Sequence, residues 1–450
     1  MLKKGRITLS TTHIIMLSFL AAILIGSLLL SLPVSSADGK SVAYIDALFT
    51  ATTATCVTGL VTLTTATAWS GFGQAVILVL IQIGGLGVIT VMSGLMLLLH
   101  RKMGIGDRLL LQDAFNLNTL SGLAVFVKKV LLGTFIIEGI GALLYMTVFV
   151  PQFGLRGVWL SVFNAVSAFC NAGMDVIGEN SLCDYATNPL ICGVTSVLII
   201  LGGIGYIVWW DVIRVISERK RRPLRSLTLH SKIAITISLS LVFLGAILIF
   251  IFEYNNPKTI ESLSLFDKIQ LSLFQSVTTR TAGFAGIPQQ NLTDPTSFIC
   301  LLLMFIGGSP VGTAGGIKTV TLAVLVASAV STIKGKNDVC LFGRNISKQA
   351  VSKSAAVCTM SFCIVFLSTI LLSFVSDAST MDVLYETVSA TATVGLSRGI
   401  TPYLNEMGKI IIIVTMYLGR VGPISLALAL NTGRAKQNII KNPTEDISVG

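Results

Sequence analysis

The sequence predicts an all-α polytopic membrane protein. Eight transmembrane helices form four helix–pore helix–helix repeats in a pseudo-fourfold arrangement. Three observations predict it: a composition too apolar for a water-soluble chain, basic clusters that fall on one side of every hydrophobic hairpin, and a glycine motif that occurs four times.

Of 450 residues, 53% are hydrophobic and only 12% are charged, and mean hydropathy is +0.83. A soluble chain carries about a quarter charged residues, so a soluble helical core does not fit. The net charge of +11 raises the question of nucleic acid, but the basic residues are not spread along a binding face. They sit in short loops: Lys3, Lys4 and Arg6; Arg101, Lys102 and Arg108; Arg219 to Arg225; Lys334, Lys336 and Arg344; Arg434, Lys436 and Lys441. The excess of Lys and Arg in cytoplasmic loops places all five clusters inside, with both termini cytoplasmic in a bacterial plasma membrane. The partner this charge implies is the lipid bilayer, with no nucleic acid.

The hydrophobic runs cover about 13–32, 74–100, 124–150, 190–216, 231–252, 296–330, 353–375 and 407–430. The first is too long for a cleaved signal and reads as a membrane helix. Between each odd run and the next lies a shorter segment: Val42–Thr55, Gly157–Cys170, Leu265–Thr279 and Met381–Ala392. None of the four can cross a hydrocarbon core of about 30 Å. If they crossed, alternate basic clusters would lie outside; if they dip in and return, every cluster stays inside. Non-helical backbone at membrane depth is tolerated where it is buried in protein or lines water, so four such segments imply a pore.

The repeats then occupy 1–110, 111–222, 223–345 and 346–450, the last with a short cytoplasmic tail. After each short segment comes a similar string: Val57-Thr58-Gly59, Asn171-Ala172-Gly173, Thr281-Ala282-Gly283 and Thr393-Val394-Gly395. Ten residues before the glycine stand Phe49, Phe163, Leu273 and Tyr385; five before stand Ala54, Ala168, Thr278 and Ala390. A second marker recurs in each following helix, beginning at Gly84, Gly202, Gly307 and Gly419. By itself it reads as small-residue helix packing; in register with the first, it marks a repeat.

Together Thr55 to Leu60, Thr279 to Phe284 and the run Gly307 to Thr319 (GGSPVGTAGGIKT) resemble the Trk/Ktr/HKT superfamily of potassium transporters over nearly the whole chain. With about a dozen residues before the first helix, the chain is more similar to the eight-helix Ktr branch. The resemblance implies potassium uptake, a homodimer, and a cytosolic ring of nucleotide-binding RCK subunits. It implies no cofactor beyond the transported ion, with Na+ dependence or Na+ coupling as the alternative.

A dehydrated potassium ion needs oxygens in place of its water, and backbone carbonyls can supply them. The expected donors are those of Val57–Gly59, Asn171–Gly173, Thr281–Gly283 and Thr393–Gly395. In plant relatives, a serine at the first filter glycine accompanies sodium permeation, so Gly59 implies potassium preference.

The stretch Gly307, Gly308, Ser309, Pro310, Val311, Gly312, Thr313, Ala314, Gly315 and Gly316 interrupts the third repeat's second helix. A passive kink is one reading; the resemblance implies a flexible intramembrane loop that obstructs permeation. Lys318, just past it, is placed to help position it. Arg420 stands deep in an apolar helix, where charge is costly without water or a partner. It either pairs with an acidic side chain or, as the resemblance implies, lies beside the loop.

Arg280 and Glu386 are expected to form an ion pair bracing the pore helices. Glu138 reads as a helix–helix hydrogen bond or a coupling-ion site. Cys183 and Cys192 share one outer loop and are either bridged or free. His13, His100 and His230 are too scattered for a metal. No paired carboxylates or Ser/His set suggests an enzyme. The string Gly312 to Thr319 fails as a phosphate-binding loop, because Ile317 intrudes before the lysine and no strand precedes it.

Overall fold

The computed structural model describes residues 11–99, 104–114, 122–219, 223–336 and 338–422. The basic residues at 3–6, 101–102, 220–222 and beyond 422 lie outside these ranges. Within them one pattern occurs four times. The first set is α1 (Thr11–Leu30), the short α2 (Tyr44–Cys56), then α3 (Gly71–Leu86) and α4 (Val88–Leu98). The second is α5 (Leu123–Phe153), α6 (Leu155–Cys170), α7 (Pro189–Gly203) and α8 (Tyr206–Ser217). The third is α9 (Leu229–Glu253), α10 (Leu265–Thr278), α11 (Asp294–Phe305) and α12 (Thr319–Ile333). The fourth is α13 (Lys348–Val375), α14 (Thr380–Ala392) and α15 (Glu406–Val421). A small hairpin, Cys340–Leu341 against Arg344–Asn345, joins the third set to the fourth.

The short helices α2, α6, α10 and α14 coincide with the expected re-entrant segments to within a few residues. Their C-terminal halves are packed inside the protein, whereas α5, α9 and α13 expose Phe135, Phe243 and Phe366. Aromatic and aliphatic side chains turned outward along long apolar helices are a lipid-facing surface. Among the described residues three helices, α1, α9 and α13, are long and apolar enough to cross a membrane alone, and two bent pairs raise this to five.

Those bent pairs correct one expectation. The second long segment of the first three repeats is not a continuous rod: α3 and α4 meet at 96°, and α7 and α8 at 97°. The third segment breaks entirely between Phe305 and Thr319. The run expected over 407–430 passes beyond residue 422, outside the described residues. The cause is backbone conformation. Gly87, Gly205 and Gly422 have φ of +85°, +94° and +88°, which a right-handed helix cannot accommodate and which glycine adopts without a Cβ penalty.

The second sequence marker has a physical meaning too. A Cβ on Gly84 would strike the Thr55 carbonyl oxygen, one on Gly202 that of Phe169, and one on Gly419 that of Thr391. Each of these carbonyls lies four residues before a motif glycine. Small-residue packing is thus the close seat of each bent helix on the end of its own pore helix.

The fourth set closes onto the first. The Lys409 ammonium pairs with the Asp46 carboxylate at 2.6 Å, and the Tyr417 hydroxyl donates to the Met16 carbonyl at 2.9 Å.

Candidate functional site

Each short helix is followed by a non-glycine residue in the left-handed region, which is the C-cap in three repeats and lies two residues past the C-cap Thr279 in the third: Val57 (φ +56°), Asn171 (+60°), Thr281 (+66°) and Thr393 (+53°). For a β-branched residue this is an outlier, costing on the order of 1–2 kcal/mol. The glycine two residues on has positive φ as well, +97°, +64°, +81° and +98° in chain order. These alternating conformations are held by the helix ends. The Thr58, Ala172 and Val394 amides each donate at 2.8 Å to the carbonyls of Thr53, Ser167 and Ser389. Hydroxyls at the same level complete the brace. Thr53 Oγ1 accepts from the Gly59 amide at 2.9 Å, and Ser389 Oγ from Gly395 at 3.0 Å. With these amides turned back to the helix, the carbonyls are left to other partners.

They face one another around a ring. A Cβ on Gly59 would stand 2.5 Å from the Ala172 carbonyl oxygen, and one on Gly173 would stand 2.5 Å from that of Ala282. On Gly283 it would strike the Val394 carbonyl, and on Gly395 that of Thr58. The chain of contacts closes, first repeat to second, third, fourth and back. Of the twelve expected residues these contacts bring together Thr58, Gly59, Ala172, Gly173, Ala282, Gly283, Val394 and Gly395, and Val57, Asn171, Thr281 and Thr393 immediately precede them in the chain.

The third repeat is out of step by one residue. Its hydroxyl at this level is Thr278, five before the glycine rather than six, which donates to the Phe284 carbonyl at 2.7 Å, and the Ala282 amide donates to the Thr278 carbonyl at 3.0 Å. Its buried aromatic is Phe274, while Leu273 is 37% exposed. The expected equivalence of Leu273 with Phe49, Phe163 and Tyr385 is therefore displaced by one position.

The residues from Gly307 to Gly316 form a loop packed against the ends of the second and fourth pore helices. Thr313 Oγ1 donates to the Phe169 carbonyl at 3.1 Å, and a Cβ on Gly315 would lie 2.6 Å from the Ala392 carbonyl. The loop's main attachment is backbone to backbone and leaves no trace in residue type. The Ser309 and Thr313 amides donate to Gly203 and Gly202 carbonyls at 2.8 and 3.1 Å, and the Tyr206 amide donates to the Val311 carbonyl at 2.8 Å. The loop thus docks into the bend between α7 and α8. Lys318 Nζ donates to the Ala314 carbonyl at 2.6 Å, which fits a positioning role.

Arg420 has no acidic partner among the described residues. Its guanidinium donates to the Thr313 carbonyl at 2.7 Å and to the Gly84 carbonyl. It links the loop to the bent helix of the first repeat.

The expected Arg280–Glu386 pair does not form. Glu386, fully buried, accepts from Ser397 Oγ at 2.7 Å and from Thr401 Oγ1. Arg280 points the other way, to Ser238 and Gly307. The helix phase of each pore helix, not its rank in the repeat, sets these directions. Glu138 accepts from Gln82 Nε2 at 3.2 Å, a bond between α5 and α3, so the helix–helix reading accounts for it. Cys183 and Cys192 are free thiols. Among the described residues no group of His, Cys, Asp and Glu could hold a metal ion.

A ring of four carbonyl-bearing loops, closed within one chain and surrounded by lipid-facing helices, defines a polytopic membrane protein of the pore-loop kind. The family described as TrkH, cation transport protein, matches residues 8–438, and the chain belongs to it. It is 39% identical to the Ktr system potassium uptake protein B of Bacillus subtilis, over 97% of this chain and 96% of that one. It is 38% identical to the potassium/sodium uptake protein NtpJ of Enterococcus hirae, over 100% and 99%. The crystal structure of the potassium transporter TrkH from Vibrio parahaemolyticus superposes with a TM-score of 0.76 at 15% identity, covering 96% of this chain and 87% of that one. That likeness establishes the shared fold. The protein is a membrane transporter rather than an enzyme.

Proposed function

We propose that this chain takes up potassium across a bacterial plasma membrane through the single ring formed by its four repeats. Carbonyls of Val57–Gly59, Asn171–Gly173, Thr281–Gly283 and Thr393–Gly395 replace the ion's hydration shell. The loop Gly307–Gly316, held by Arg420, is the gate. The observation that carries this reading is the closed circuit of glycine-to-carbonyl contacts, which leaves oxygens, and no side chain, at the narrowest point. The basic clusters support cytoplasmic termini.

Two relatives named as proteins of a Ktr system, B and D of Bacillus subtilis, support a membrane subunit working with others. The partners proposed are a second copy of the chain and a nucleotide-binding RCK ring. No cofactor is required beyond the ion. The name of the Enterococcus relative favours one second reading, in which sodium is co-transported or required.

Expression in a bacterium lacking its own potassium uptake tests the proposal. Growth at submillimolar potassium is the expected result, and no growth with the protein present in the membrane would overturn it. Reconstitution into liposomes with and without sodium separates the two readings: potassium flux that vanishes without sodium supports the second.

Serine at position 59 is a sharper test. Its Cβ would meet the Ala172 carbonyl at 2.5 Å and displace one of the proposed ligands. Gly59→Ser is expected to reduce discrimination of potassium over sodium by about tenfold, equivalent to ~1.4 kcal/mol. Unchanged sodium competition in rubidium uptake would count against the filter.

A further inference from the structure

The third repeat breaks the pattern of the other three at two places, and one side chain joins them. In repeats one, two and four, the first marker glycine (Gly84, Gly202, Gly419) sits directly on a pore-helix carbonyl. In the third, a Cβ on Gly307 would instead strike the loop's own Gly315 carbonyl. The direct seat between pore helix and inner helix is missing there. So is part of the filter brace. Val277 occupies the position of the hydroxyl residues Thr53, Ser167 and Ser389; the Gly283 amide reaches only the Thr278 carbonyl at 3.4 Å, without the side-chain bond that the first and fourth repeats make to Gly59 and Gly395.

Arg280 fills the gap. It immediately precedes Thr281, the left-handed residue of the third filter loop. The matching residues of the other repeats, Cys56, Cys170 and Ala392, are too short to reach as far. The residue is buried, 8% exposed. It donates to the Gly307 carbonyl at 3.0 Å, the Ser238 carbonyl at 3.1 Å and Ser238 Oγ at 3.3 Å. Among the described residues no carboxylate neutralises it. A buried cation held only by neutral acceptors is sensitive to where those acceptors lie, because each bond is charge-assisted and directional. Gly307 is the first residue of the loop. Its segment is pinned by the Ile317 amide on the Phe305 carbonyl at 3.1 Å and the Thr319 amide on the Gly308 carbonyl at 3.0 Å. A shift of the loop's entry therefore pulls on the guanidinium, and through one peptide on Thr281.

We propose that Arg280 is a positioning residue that couples ion occupancy of the filter to the conformation of the intramembrane loop. The inference rests on the gate reading above and adds to it a path between the two elements. Coupling means that the state of one site changes with occupancy of the other, and that is what the test reads.

Val311 lies within the loop and is partly exposed. In a background with Cys340→Ser and Cys363→Ser, Val311→Cys reports loop accessibility to an impermeant methanethiosulfonate applied to inside-out vesicles. Potassium is varied against choline. In the parent, the modification rate is expected to change by about threefold or more between potassium-free and saturating conditions, roughly half a decade or more. Arg280→Gln is expected to remove that potassium dependence. Arg280→Lys, which keeps the charge but not the two-sided fork, is expected to retain only part of it. A full potassium response in Arg280→Gln overturns the coupling role while leaving the gate intact. A parent whose Val311→Cys never responds to potassium overturns the gate reading as well. If Arg280→Gln does not reach the membrane in parental amounts, Arg280→Lys decides, and an undiminished response there overturns the proposal.

Discussion

Alanine at position 395 is expected to abolish high-affinity potassium uptake, lowering it by about a hundredfold or more, ~2.7 kcal/mol. Two costs add. Gly395 has φ +98°, a conformation that costs an L-residue on the order of 1–3 kcal/mol. The added methyl would also strike the Thr58 carbonyl oxygen and come within 2.9 Å of the Gly59 Cα. Both are backbone atoms of the opposing filter loop, so relief requires moving a ligand rather than rotating a side chain. Because the ring is a closed circuit, displacing Thr58 also disturbs the contact of Gly59 with Ala172. The control is Gly139→Ala. Gly139 has ordinary helical φ and open space where a Cβ would be, and uptake there is expected to stay within about twofold of the parent, under ~0.5 kcal/mol. Uptake measured with rubidium at matched membrane abundance checks both. Near-parental uptake by Gly395→Ala would mean that the ring is not where ions pass.

The parts of this site that could be read from sequence are those carried by residue type. Glycine at four equivalent places, short apolar segments and one-sided basic loops each have a physical cause that leaves a trace in composition. The hydroxyl residues Thr53, Ser167 and Ser389 leave one as well, six residues before three of the glycines, beside the small residues Ala54, Ala168 and Ala390. Other features left none. The strings beginning at Gly84 and Gly202 are equally apolar whether the helix runs straight or bends by a right angle, since hydropathy does not register φ. The docking of the loop into the α7–α8 bend is made by the amides of Ser309, Thr313 and Tyr206 with backbone carbonyls, which any residue but proline could supply. Arg280 and Glu386 show a different limit. Their places in adjacent repeats suggested proximity, but the third pore helix is one residue out of register, and its side chains point elsewhere. Charge at membrane depth could be recognised as costly from the sequence; the neutral carbonyls that receive it could not.

Arg420 is the second place where one substitution should have a large effect, and here the sign is a gain. Its guanidinium holds the Thr313 carbonyl of the loop and the Gly84 carbonyl of the first repeat, so it ties the loop to a helix on another side of the ring. Hydrogen bonds from a charged donor contribute about 1.5–3 kcal/mol each. The loop has further anchors, the three backbone bonds to the α7–α8 bend and the Lys318 ammonium on Ala314. Losing Arg420 should therefore loosen the closed loop without releasing it fully. A cation fixed beside the route of another cation also opposes passage electrostatically, and its removal acts in the same direction. Arg420→Ala is expected to raise the maximal rubidium uptake rate by roughly tenfold, ~1.4 kcal/mol. Arg420→Gln, which keeps one donor, should lie between it and the parent. Discrimination between potassium and sodium should change little, because Arg420 bonds to none of the twelve proposed filter residues. If the arginine were only structural, Arg420→Ala would instead lower protein abundance and uptake together. A rate at or below the parental value, with normal abundance, would remove Arg420 from the gate.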